Sequence, residues 1–141
     1  MKKEFNTESF HETQKIAEDF AKDLNPPAII AFDANLGGGK TTFIQGLAKG
    51  LGISANVISP TFVLERIYEV PEKEYSLHHY DLYRIEPDDI LVSEILENAR
   101  DNIIAIEWAE KIKDLLPQNT IWVKLENTGE NTRKITIEKD K

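Results

Sequence analysis

An apolar run, Ala28-Ile29-Ile30-Ala31-Phe32, leads into Asp33-Ala34-Asn35-Leu36-Gly37-Gly38-Gly39-Lys40-Thr41-Thr42, and then into Phe43, Ile44, Leu47, Ala48 and Leu51 at helical spacing. The first run is short and bounded enough to be a buried strand, and the last set puts one apolar stripe on a helix. Strand, glycine loop, Lys-Thr and helix in this order make a phosphate-binding loop. The glycines let successive backbone N–H groups turn inward on an anion, and the helix N-terminus adds its partial positive charge. Gly37, Gly38, Gly39, Lys40, Thr41 and Thr42 are therefore the predicted nucleotide-binding residues. Lys40 reaches the β- and γ-phosphates, and the Thr41 hydroxyl is a ligand for Mg²⁺. Counting back from Gly39-Lys40, Ala34 stands where the usual spacing has its first glycine. A methyl group is the smallest addition that strand exit can receive.

The remainder of the composition narrows the partners. With 141 residues the chain is expected to be one domain, 1–141, that buries roughly two-thirds of its unfolded surface. It has no cysteine, which excludes disulfides, thiolate zinc sites and a cysteine nucleophile. No run approaches the ~20 apolar residues of a membrane span, and Met1-Lys2-Lys3-Glu4-Phe5 has no secretory apolar core. A cytoplasmic protein is predicted. The net charge is −8, from 25 acidic and 17 basic residues, which opposes autonomous binding to nucleic acid.

Lys2 to Asn6 is a predicted edge strand, and Ser9-Phe10-His11-Glu12 a capping box that opens a helix through Leu24. After the phosphate loop and its helix, closed by Gly50 and Gly52, residues 53–61 read as a loop. Strands at 62–68 and 75–80 pair across Pro71-Glu72, and Pro87-Asp88-Asp89 starts a helical stretch to about Asn98. Ile103-Ile104-Ala105-Ile106 suits a central strand, Trp108 to Leu116 a short helix, and 120–126 with 132–138 a terminal hairpin. This order predicts an α/β sandwich of the P-loop NTPase type, a mixed parallel and antiparallel sheet flanked by helices.

A loop that hydrolyses ATP also needs a Mg²⁺-directed carboxylate and a group that orients water. Glu107 follows the buried run 103–106, where a strand's carboxyl end meets ligands. Glutamate is also a poor helix N-cap, which weighs against a purely local role. Asp81 ends another strand and is assigned to the metal's water or to the attacking water. Lys40, Asp81 and Glu107 form the predicted catalytic set. Ser59-Pro60-Thr61 places two hydroxyls on a loop suited to a switch on the γ-phosphate. His78 and His79 alternate across one strand and cannot share a metal, so they are read as surface or packing residues.

With these pieces in place the chain resembles the TsaE (YjeE) family, bacterial P-loop ATPases of tRNA threonylcarbamoyladenosine synthesis. Four stretches carry the resemblance: Leu36-Gly37-Gly38-Gly39-Lys40-Thr41-Thr42-Phe43, Val57-Ile58-Ser59-Pro60-Thr61-Phe62, Tyr80-Asp81-Leu82-Tyr83-Arg84 and Ile106-Glu107-Trp108. The resemblance implies that Thr41 and Glu107 hold Mg²⁺, that Asp81 assists hydrolysis and that Thr61 lies on the switch. It also implies that Ser9, Phe10, Thr13 and Arg133 lie near the adenine of ATP. The implied partners are TsaD and TsaB, on whose heterodimer the ATPase docks, with tRNA engaged only indirectly. Ala34 and Asn35 replace the family's usual Gly-Asp, which removes a negative charge from the loop.

Rival readings are a small-molecule kinase and a nucleotide-gated scaffold with negligible turnover. The chain's arginines are Arg66, Arg84, Arg100 and Arg133, with no arginine-rich lid for a second phosphate substrate. No [NT]-K-x-D guanine motif occurs, so GTP is disfavoured.

Overall fold

A computed structural model describes residues 1–33, 39–54 and 64–139. Ala34, Asn35, Leu36, Gly37 and Gly38 of the glycine loop lie outside them, as do Ser59, Pro60 and Thr61 of the expected switch. The described elements are β1 (Lys2–Thr7), α1 (Phe10–Ala21), β2 (Ala28–Phe32), α2 (Lys40–Gly50), β3 (Glu65–Glu69), β4 (Ser76–Asp81), α3 (Asp89–Ala99), β5 (Ile103–Glu107), β6 (Ile121–Asn127) and β7 (Arg133–Lys139). The strands form one seven-stranded sheet in the order β1-β7-β6-β2-β5-β4-β3.

The inner strands β6, β2, β5 and β4 run parallel, and antiparallel partners close both flanks. The reason is legible in the side chains. β2 and β5 are apolar on both faces, as strands covered above and below must be. One face packs Ile30, Phe32 and Ala105 against Ala17 and Ala21 of α1 and Phe43, Ile44 and Leu47 of α2. The other packs Ala31, Ile104 and Ile106 against Val92, Ile95 and Ala99 of α3. Helices on both faces of a mixed sheet give the α/β sandwich expected from the sequence. No helix among the described residues is long and apolar enough to cross a membrane.

The capping box opens α1, with Glu12 N donating to Ser9 Oγ at 3.1 Å. The Glu12 carboxylate reaches back to Glu8 N at 2.6 Å, one residue before the cap. The short helix expected between 108 and 116 is present. Ala109–Leu115 is a 3₁₀ segment broken at Ile112, whose φ of −125° leaves the helical region. Seven residues are too few to reward an α-helical nucleus, and 3₁₀ turns serve such short connections. Lys111 Nζ fixes this segment by donating to the carbonyls of Tyr83 at 3.0 Å and Ile85 at 2.8 Å.

Candidate nucleotide and metal site

In the parallel register Phe32 lies opposite Glu107, and Glu107 opposite Asp81, so three adjacent strands end in one row. Residues two apart along a strand share a face. Glu107 and Asp81 thus lie on the face of Ala105 and Phe32, which is the face that α2 covers. Helix α2 begins eight residues after Phe32.

Helix α2 arrives with its N-terminus open. Gly39 is the N-cap at φ 91°, a left-handed conformation that favours glycine, and no side chain caps the helix. The first intrahelical bond runs from Phe43 N to Gly39 O at 2.9 Å, so the first-turn amides of Lys40, Thr41 and Thr42 have no helical acceptor. No acidic residue stands in that turn. An uncapped helix end without acids is suited to an anion.

The side chains around it are drawn together from distant parts of the sequence. The Lys40 ammonium sits 5.1 Å from the centroid of the Trp108 ring, which ties the loop's lysine to the residue after Glu107. Trp108 adopts φ 62°, and this left-handed step turns its ring out of the strand to stack on Tyr83 at 4.7 Å. On the opposite flank, a Cβ added to Gly39 would lie 3.8 Å from Arg133 Nε. The Arg133 guanidinium is 5.9 Å from the Phe10 ring. Arg133 is 7% exposed, and its Nη1 is held by Thr132 O at 2.8 Å and Asn127 Oδ1 at 3.1 Å. Among the described residues its Nε is buried without a partner. Phe10, Arg133, Gly39 and Lys40 are thus brought to one place, and Thr41 and Thr42 follow in the first turn.

Mg²⁺ takes hard oxygen ligands and keeps several waters, so a hydroxyl and a carboxylate beside bound phosphates suffice. Among the described residues no three acidic or histidine side chains gather into a metal cage. Thr41 and Glu107 fit the smaller requirement. Glu107 is 5% exposed, and its Oε2 pairs with His79 Nε2 at 2.7 Å, which leaves Oε1 outside that bond. Asp81 Oδ1 accepts from Tyr83 N at 2.9 Å, a local turn that fixes the carboxylate at the strand end.

Of the two readings given for the histidines, packing holds: both are buried, and each pairs with a carboxylate on a neighbouring strand. His78 Nδ1 lies 2.8 Å from Glu65 Oε2 on the α3 face, while His79 reaches Glu107 on the α2 face. β4 is an inner strand covered on both sides, so strand alternation buries both histidines instead of exposing one. His79 is the buried neighbour of Glu107 that sequence reasoning missed, although its position two residues before Asp81 already put the two on one face. A cavity of about 530 Å³ lined by Phe5, Phe20, Leu24 and Ile137 lies at the other end of β2, beside Ala28 and away from this row.

Comparison with known proteins agrees with this geometry. The family model described as threonylcarbamoyl adenosine biosynthesis protein TsaE matches residues 7–135. The tRNA threonylcarbamoyladenosine biosynthesis protein TsaE of Rickettsia typhi is 40% identical over 131 residues, covering 92% of this chain and 90% of that one. Its namesake in Bacillus subtilis is 35% identical over 128 residues, or 89% and 78% of the two chains. The crystal structure of YdiB from Bacillus subtilis superposes with a TM-score of 0.81 at 28% identity, covering all of this chain and 87% of that one. The row of strand ends, the open helix and a match over nearly the whole chain lead to one assignment: the protein belongs to the TsaE family of tRNA threonylcarbamoyladenosine biosynthesis.

Proposed function

We propose that the chain binds ATP with Mg²⁺ and hydrolyses it during threonylcarbamoylation of adenosine 37 in tRNA. In this reading it acts in the cytoplasm on a TsaB–TsaD heterodimer and does not handle tRNA itself. The observation that carries the reading is the meeting of an uncapped α2 N-terminus and Lys40 with Glu107 and Asp81, which end adjacent parallel strands. The amides of Lys40, Thr41 and Thr42 cradle phosphate oxygens, as an open helix end does. Lys40 leaves the Trp108 ring to neutralise the β- and γ-phosphates. Thr41 and Glu107 would hold Mg²⁺, which would supply charge neutralisation for the phosphates. Asp81 orients the attacking water, and Phe10 with Arg133 borders the nucleoside side. Ser59 and Thr61 remain the switch candidates on sequence grounds.

The test is tRNA modification reconstituted from purified TsaB–TsaD, a threonylcarbamoyl donor, ATP and this chain. The chain is expected to raise the number of modified tRNAs per heterodimer, and Lys40→Ala to remove that gain. Full support by Lys40→Ala would contradict the reading, and support without any nucleotide turnover would favour a nucleotide-gated scaffold.

A further inference from the structure

His79 is 0% exposed, and its Nε2 sits 2.7 Å from Glu107 Oε2, while its Nδ1 has no partner among the described residues. This combination selects a hydrogen-bond direction. With Nε2 bare, two lone pairs would face each other across 2.7 Å. A ring with Nε2–H donating to the carboxylate satisfies the bond.

The register shows why the bond is diagonal. Ala105, not Glu107, is the β5 residue opposite His79. Its methyl leaves room for the imidazole to lean along the sheet to Glu107, two residues on. Asp81 holds the position opposite Glu107. A histidine that fixes one oxygen of a carboxylate presents the other in a set direction, the outer-shell arrangement that tunes metal ligands.

We infer that His79 is a positioning residue for Glu107: as an Nε2–H donor it holds Oε2 and leaves Oε1 for the cation that accompanies the nucleotide. This inference rests on the proposed Mg²⁺–ATP reading.

The test compares ATP affinity by calorimetry in EDTA and in Mg²⁺ for wild type, His79→Leu and His79→Gln. Glutamine places an amide donor near the Nε2 position, whereas leucine fills the space without one. Affinity in EDTA is expected to stay unchanged in both variants. The Mg²⁺-dependent gain is expected to fall about tenfold in His79→Leu, and to stay within about threefold of wild type in His79→Gln. A wild-type gain in His79→Leu, or an equal loss in folded His79→Gln, would overturn the inference. Wild-type protein with no Mg²⁺ gain would instead defeat the metal reading itself and the inference with it. If neither variant folds, ¹⁵N NMR of the wild-type ring decides: a protonated Nε2 is expected, and a bare Nε2 overturns the inference.

Discussion

Lys40 opens α2 and rests its ammonium over Trp108, 5.1 Å from the ring centroid, so a bound phosphate must compete with that contact. A cation on an indole face gains about 0.5–2 kcal/mol, far less than a triphosphate offers in a water-poor loop. Lys40→Ala is therefore expected to lose ATP binding in calorimetry, and retention of wild-type affinity would take the lysine out of the site. Thr41 and Glu107 are expected to act through one ion. Their alanine variants should be non-additive in a double-mutant cycle on Mg²⁺-dependent ATP affinity, whereas full additivity would assign them to separate steps. Much of this was legible residue by residue. The Gly39-Lys40-Thr41 spacing and the carboxylate after an apolar run are local signals. His79 was not legible, because its role depends on which strand lies beside β4, and one strand's alternation does not reveal its neighbour. The ring of Trp108 over Lys40 likewise needed the left-handed backbone at φ 62°.

At the scale of elements, α1 and α2 approach so closely that the contact is made of backbone. A Cβ on Gly46 would lie 2.5 Å from Gln14 O and 2.7 Å from Ala17 Cβ. Gly46→Ala gains up to about 1 kcal/mol in helix propensity, yet it must push the helices apart. Overpacking of this kind costs about 1–3 kcal/mol, so a lowered urea midpoint is expected. An unchanged or raised midpoint would mean that the two helices yield freely. Gly50 faces α1 in the same way, against Ala21. The sequence shows Gly50 only as a helix stop, because a small residue that ends a helix looks the same as one that admits a neighbour.

β4 carries a pH signature of its own. Burial, and then a hydrogen bond with Glu65, push the Tyr80 phenol well above its ordinary 10.0. The folded state therefore keeps a proton that the unfolded chain loses above pH 10, and stability falls as pH rises past that point. Tyr80→Phe is expected to flatten that part of a stability–pH profile, and an unchanged slope would assign the loss to other groups. The elements themselves were mostly readable, since apolar runs and turn residues bound them. The short helix expected after Glu107 is present, and its length and its tethers through Lys111, not its composition, decide its 3₁₀ geometry.

On the scale of the whole molecule, a net charge of −8 and a candidate site at the carboxyl ends of inner strands divide the work. An acidic protein gains little from phosphate backbones, so partners are expected to supply the surface that holds tRNA. Arg66, Arg84, Arg100 and Arg133 are the only arginines, and none follows the glycine loop as a finger. Arg84 is exposed in the turn after β4 and is the nearest rival in cis by sequence, three residues past Asp81. A missing arginine finger can lower turnover by about three to five orders of magnitude. Slow hydrolysis alone and faster hydrolysis on the partner follow, and docking must tighten ATP binding by the same factor that ATP tightens docking. The most direct measurement is phosphate release by the chain alone, with the TsaB–TsaD heterodimer, and after Arg84→Ala. The account predicts a low rate alone that rises with the heterodimer and survives Arg84→Ala; equal rates with and without partner, together with collapse in Arg84→Ala, would contradict it.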